Sequence, residues 1–449
     1  MHSKPNERTP LVVHNPESTA TRRPTPLPKG QLAIILLCQF CEAIAIESPT
    51  PYVPQFVRDL PITRGDPRKV GYYSGLLGTV PCLAQAFSVM QWGRLSDHVG
   101  RKPIILTGLL ATMTSTMLFG LQHKFSTALL CWSIGGLLSG NNSVERSVIG
   151  ELTDSTNRSR AISLVYLGYS IGSAIGNLLG GTLVRPSIRF HEHFVSDFWG
   201  EHPYFLPGMV CSLVLLLPFC AVALKFKETN RRSLTTTSYD YTHTGDSCTA
   251  SEDPVAFRNL LVYPVLFSIS NYVIAVSLDA CFWALFPLFL TIPVNVGGLG
   301  LEPSKISYII ASYQLANAFC QYFCFVPVTQ RFGDKAVFIS AIAASVPSFI
   351  LLPVINTVAR HMGATSSWVC ILVGVLLLCR TIFVMSYGSI YMYITASAPN
   401  EKSLGGTHGM AQTAVSVARA ICPAITSALF SCSIEKNVLG GYAIYVVLR

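Results

Sequence analysis

The chain has 449 residues, half of them hydrophobic and only 12% charged, with a formal net charge of +9 and a mean hydropathy of +0.46. Soluble globular chains carry roughly a quarter charged residues, so composition excludes that class and points to an all-α integral membrane protein. Barrel-type alternation is absent, which leaves helices as the spanning structure, and the positive charge follows membrane topology without implying a nucleic-acid partner.

In chain order, residues 1–30 form a polar, Pro-rich tail, read as disordered and cytosolic, with no cleavable leader. Eleven apolar stretches follow at about 31–57, 70–92, 103–121, 127–147, 160–184, 203–226, 259–291, 304–327, 336–356, 366–393 and 403–432. Each is long enough for a hydrocarbon core about 30 Å thick, which needs about 20 helical residues. In span 1, Pro49 and Pro51 predict a bend just after Glu47. Between spans 2 and 3 lies Gly93-Arg94-Leu95-Ser96-Asp97-His98-Val99-Gly100-Arg101-Lys102-Pro103, read as a charged turn bracketed by two glycines. Pro103 suits the first turn of the next helix.

A polar stretch at 227–258, containing Thr235-Thr236-Thr237-Ser238, reads as a cytosolic linker between an N-terminal six-helix half (31–226) and a C-terminal half (259–449). In the second half, Gln330-Arg331-Phe332-Gly333-Asp334-Lys335 stands where the charged turn stood in the first. A twelfth stretch starts at Gly440 and stops at Arg449. Ten helical residues rise only about 15 Å, so the twelfth helix is expected to be truncated. Lys and Arg favour the tail and even-numbered loops by about two to one, which places the N-terminus in the cytosol. The 14 cysteines sit mostly in apolar segments, and Cys38-x-x-Cys41 reads as buried thiols rather than a redox pair.

The pattern G-x-L-S-D-x-x-G-R-K-P between two spans resembles the loop between helices 2 and 3 of the major facilitator superfamily of secondary transporters. Further stretches resemble its fungal and plant drug:proton antiporter-like and zinc-induced-facilitator-like group. They are Gln39-Phe40-Cys41-Glu42, Lys69-Val70-Gly71-Tyr72-Tyr73-Ser74-Gly75, Gln91-Trp92-Gly93-Arg94-Leu95-Ser96-Asp97, Gly150-Glu151-Leu152-Thr153-Asp154 with Asn157-Arg158, and Ala418-Arg419-Ala420. The resemblance implies a major facilitator fold of 6+6 transmembrane helices that transports by alternating access. It also implies that Gly93, Arg94, Asp97, Gly100, Arg101 and Lys102 form a cytosolic gate between the halves; the alternative is a loop that only sets topology. Two positions depart from the group's antiporters. Trp132 stands where helix 4 carries an arginine, and Gly176-Asn177-Leu178-Leu179-Gly180-Gly181 lacks the proline of helix 5.

Four ionisable residues fall near the bilayer midplane: Glu42, Asp279, Arg380 and Arg419. Such residues face a cavity or one another, and two acids and two bases can pair. Glu42 and Asp279 are candidates for a proton or substrate site, with Glu47 either lining the same cavity or sitting in the bend. Fixed ion pairs are the alternative, above all for Arg419. Gln85, Tyr166, Asn271, Tyr313 and Tyr387 are further cavity candidates. His191-Glu192-His193 with His202 carries zinc-ligand chemistry but reads as an exposed loop, and no metal or cofactor is expected.

No phosphate-binding loop or nucleophile–base pair is visible, which argues against an ATP-driven pump and an enzyme. The expectation is a monomer in the lipid bilayer that exports a small organic solute, driven by protons. The alternatives are a non-transporting sensor or inactive truncated relative, and a metal or cation facilitator. Glu7-Arg8-Thr9-Pro10-Leu11-Val12 resembles a vacuolar sorting signal, so plasma and vacuolar membranes both stay open.

Overall fold

The computed structural model describes residues 28–64, 66, 69–153, 157–192, 194–229, 262–397 and 404–435. The tail, most of the linker and the twelfth stretch lie outside them. Among the described residues every regular element is helical, and seven helical stretches are long and apolar enough to cross a membrane.

Span 1 is two helices. The first, α1 (Lys29–Glu47), ends where Pro49 and Pro51 remove successive donors, and α2 (Val53–Asp59) resumes beyond them. The next pair, α3 (Val70–Val99) and α4 (Arg101–Phe119), corrects the expected ten-residue turn. Residues 93–99 extend α3, because a lone glycine among helix-compatible neighbours does not end a helix. The whole reversal falls on Gly100, at φ 110° and ψ 162°, a conformation open to glycine and costly for other residues.

Span 4 also divides, into α5 (Phe125–Leu138) and α6 (Asn141–Leu152). The break is stabilised from α3. The Trp92 indole donates to the Leu137 carbonyl at 2.8 Å, and the Gln85 amide donates to the Ser139 carbonyl at 3.3 Å, so freed backbone acceptors find partners. The first half continues through α7 (Arg158–Leu183), the short α8 (Pro186–Arg189) and α9 (Asp197–Glu201), and α10 (Phe205–Lys225).

The second half begins with α11 (Tyr263–Thr291), α12 (Pro303–Phe323) and α13 (Phe325–Phe332). It continues with α14 (Asp334–Ala343), α15 (Ser345–Met362), α16 (Ser367–Ser397) and α17 (Leu404–Glu435). Between α13 and α14, Gly333 repeats the Gly100 reversal at φ 79° and ψ 152°. The two halves thus share their connection although its side chains differ.

Apolar packing joins the halves at one end and not at the other. One buried cluster draws Tyr52, Phe56, Val70 and Tyr204 from the first half together with Phe282, Phe286, Phe289, Ile306 and Phe430 from the second. A second cluster, around Ile35, Ile105, Val148 and Leu215, belongs to the first half alone. A third, around Val265, Ile269, Ile390 and Ile394, belongs to the second half alone. Small residues reinforce the joined end. Gly181 of α7 abuts Ser307 and Pro303 of α12, and Gly71 and Gly75 of α3 abut Ser431 and Ser427 of α17. The cleft between the halves is therefore closed at that end and open toward the end that carries Gly100.

Candidate functional site

Three groups of polar and charged residues stand out. The first lies in the cleft. Asp279 of α11 forms an ion pair with Arg380 of α16 and accepts a hydrogen bond from the Tyr387 hydroxyl at 2.9 Å. Arg380 is completely buried, with its guanidinium 4.3 Å from the Phe282 ring centroid and 4.2 Å from that of Phe383. Two aromatic faces partly replace the water that this cation has lost. Tyr313 is buried beside the pair, and among the described residues its hydroxyl has no hydrogen-bond partner.

Across the cleft, Glu47 accepts hydrogen bonds from the Tyr169 hydroxyl at 3.1 Å and from the Thr50 hydroxyl at 3.4 Å. Asp279 lies close enough to act on Glu47 electrostatically, and Glu47 is also the last residue of α1. Arg419 of α17 is exposed, yet Tyr387, Tyr272, Asp279 and Tyr169 all act on it. An exposed guanidinium surrounded by both halves lines the cleft. Of the four midplane charges, only Asp279 and Arg380 pair with each other.

The second place is the interface of α1 with α6. The Asn141 amide donates to Glu42, and the Gln39 amide donates to Glu145. Glu42 is 5% exposed and Glu145 is fully buried, and Glu42 lies close enough to act on Glu145 electrostatically. The two candidate acids Glu42 and Asp279 thus have different partners, Asn141 for Glu42 and Arg380 with Tyr387 for Asp279. Glu42 turns away from the cleft toward α6, because Gln39 and Glu42 sit three residues apart on the α1 face opposed to Asn141 and Glu145. Glu145 gives little signal in the sequence because it lies at the margin of the apolar stretch 127–147. Asn141 and Glu145, four residues apart in an apolar span, were the available signal.

The third place is the end bearing the charged motif. Arg101 is held by Glu151 at 2.8 Å and by the Ser96 hydroxyl at 2.5 Å. The Glu228 carboxylate accepts from the backbone amides of Arg101 at 2.8 Å and Lys102 at 3.1 Å. An anion at a helix N-terminus meets unsatisfied donors and the positive end of the helix dipole. Thr229 adds a hydrogen bond to Glu151 at 2.6 Å. Glu228 and Thr229, at the start of the expected linker, carried no sequence signal. Gly93 lies within α3, and the side chains of Arg94 and Asp97 fall outside the described residues.

The other candidates are dispersed. Gln85 serves the α5–α6 break. Asn271 donates to the Phe267 carbonyl of its own helix at 2.8 Å, and Tyr166 is 62% exposed. Trp132 stacks on Phe119 at 4.2 Å, with ring planes 8° apart, so an apolar contact stands where the resembling antiporters carry an arginine. His191 bonds to the Ser187 carbonyl, and His202 packs against His123 at 4.7 Å; His193 lies outside the described residues. Among the described residues no group of three His, Cys, Asp or Glu side chains is placed to hold a metal.

Comparison with known proteins agrees with this architecture. The sequence model of the Major Facilitator Superfamily matches residues 35–423. A major facilitator-type transporter of Psilocybe cyanescens, psiT2, is 32% identical over 95% of this chain and 88% of its own length. The multidrug transporter mfsB of Aspergillus fumigatus is 26% identical over 93% of this chain and 80% of its own. A bacterial homolog of the human lysosomal transporter Spinster, solved in an inward-facing and unoccupied conformation, superposes with a TM-score of 0.66 at 18% identity. That superposition covers 91% of this chain and 84% of the homolog.

Proposed function

The chain belongs to the Major Facilitator Superfamily, and on that premise we propose that it is a proton-coupled exporter of a small organic solute. Export fits the similarity to a fungal multidrug transporter. The single observation that carries alternating access is the asymmetric packing: one apolar core bridges the halves at one end while each half keeps its own core at the other. With the N-terminus in the cytosol, as the distribution of basic residues favours, the open end is cytosolic. The protein then rests inward-open, as a monomer in the plasma or vacuolar membrane, its halves joined through 227–258.

Solute and proton occupy different places in this reading. The cleft lined by Glu47, Tyr169, Asp279, Tyr387 and Arg419 receives the solute. The Glu42–Glu145 pair carries the proton. Two carboxylates buried together, bonded to amides, repel one another and lack solvation, and a single shared proton relieves both costs. Arg146 is exposed and acts on Glu145 only through space.

The test is flux in proteoliposomes. An imposed pH gradient should drive uptake of a fluorescent multidrug substrate by the wild type. Glu42→Gln and Glu145→Gln should each abolish the gradient dependence while leaving gradient-free exchange in place. Unchanged gradient dependence in both variants would refute the proton assignment, and absence of any saturable flux would refute the transporter reading.

A further inference from the structure

Arg419 and Glu47 are opposite charges presented to one cleft, and neither is neutralised. Among the described residues Arg419 makes no hydrogen bond and no ion pair, although it is exposed and acted on by tyrosines of both halves. Glu47 is held by the Tyr169 and Thr50 hydroxyls and by Asn177, and among the described residues it has no ion-pair partner. The other two charges of the cleft, Asp279 and Arg380, cancel each other. Both free charges belong to one site, because Tyr169 and Asp279 act on each of them. Aromatic rings lie nearby: Tyr272 and Tyr387, which both act on Arg419, meet edge to face at 6.3 Å, and Trp283 packs at 5.6 Å on Tyr313, beside the Asp279–Arg380 pair.

The two charges come from different halves, Glu47 from the end of α1 and Arg419 from α17. When the open end closes, both are withdrawn from water. Burying a guanidinium and a carboxylate without partners opposes closure strongly. A solute that carries an anionic group for Arg419 and a cationic group for Glu47 removes both penalties and ties the halves together as it does so. A solute with one charge relieves one side only. Tyrosine faces suit a flat body between the charged groups, and a cation near Glu47 gains from those rings as well.

We propose that the cleft selects small aromatic zwitterions, with Glu47 of α1 binding the ammonium group and Arg419 of α17 binding the anionic group. This rests on the reading of the cleft as the solute site, and it names the solute class.

The experiment uses three probes with one body: L-phenylalanine, 2-phenylethylamine and 3-phenylpropionate. Binding to the purified full chain in nanodiscs is measured by calorimetry, with thermal unfolding of the empty protein as a control for folding. Phenylalanine should bind at least tenfold more tightly than either singly charged probe. Removing one partner of a desolvated charge pair typically weakens binding by about thirtyfold or more. Arg419→Gln should therefore weaken phenylalanine and phenylpropionate by about that factor and spare phenylethylamine, and Glu47→Gln should do the reverse. Arg419→Lys and Glu47→Asp should restore part of each loss.

No binding by any probe, equal binding by all three, or variants that weaken all probes alike would overturn the proposal. Flux is measured separately, with the same purified proteins reconstituted in proteoliposomes. Zwitterion-selective binding without flux would keep this inference and refute transport, whereas flux without charge selectivity would do the opposite.

Discussion

At the scale of single residues, Arg380 shows what a buried charge requires. It has no exposure, one carboxylate partner and two aromatic faces. Removing one member of such a pair leaves the other buried and unpaired, a loss of about 3–5 kcal/mol. Arg380→Met alone and Asp279→Leu alone should therefore each lower the thermal midpoint sharply. The double variant should recover most of the loss, which a double-mutant cycle of unfolding in detergent would measure. Gly100 makes a second case. At φ 110° any side chain is strained, by about 1–2 kcal/mol or more, and a Cβ there would lie 2.6 Å from the Glu228 carboxylate that caps α4. Gly100→Ala should destabilise the protein and loosen residues 226–229, seen as faster proteolysis of the linker. The conformational demand on Gly100 was legible from its place before Arg-Lys-Pro. Its contact with Glu228 was not, because more than a hundred residues separate them.

At the scale of helices, the contact of α7 with α1 depends on glycine. Gly172, Gly176 and Gly180 recur every four residues along one face of α7, and each lies against backbone of Phe40, Ile44 or Ser48. Such spacing lets two helices approach until their main chains touch. An added methyl at Gly176 would lie 2.9 Å from the Ile44 Cα, so the helices must separate. Gly168, with open space around it, is the control. Gly176→Ala should lower the unfolding temperature and the flux, while Gly168→Ala should leave both close to wild type, apart from a small gain in helix propensity. The missing proline in Gly176-Asn177-Leu178-Leu179 has a counterpart here: α7 runs unbroken through it, and Asn177 helps to hold Glu47. Where helices do break, local sequence was a partial guide. Pro49 and Pro51 announced the end of α1, whereas the α5–α6 break depends on donors from α3, which nothing within span 4 reveals.

At the scale of the molecule, the closed end makes a prediction about the cycle. A Cβ at Gly71 would lie 2.5 Å from the Ser431 hydroxyl, so Gly71→Cys with Ser431→Cys brings two sulfurs within bonding reach. The exposed cysteines Cys82, Cys220, Cys370 and Cys432 would first be replaced by serine. Oxidation should then join α3 to α17, stop flux by holding that end shut, and release it on reduction. Flux that survives complete crosslinking, scored by gel shift, would contradict rocking of the halves.

Some properties were set by the chain read alone. Apolar length makes each span, since backbone polar groups in lipid must be satisfied within a helix. A charged, glycine-containing reversal between two spans carries the family resemblance. Midplane charges are few and stand out against apolar neighbours, which is why Asp279, Arg380 and Arg419 were visible in advance. Tertiary structure decided how those charges are shared. Helix rotation turned Glu42 toward Asn141 and Glu145, and packing between helices paired Asp279 with Arg380. It left Glu47 and Arg419 facing each other's half across the cleft, because partner choice depends on distances between helices that no local pattern encodes.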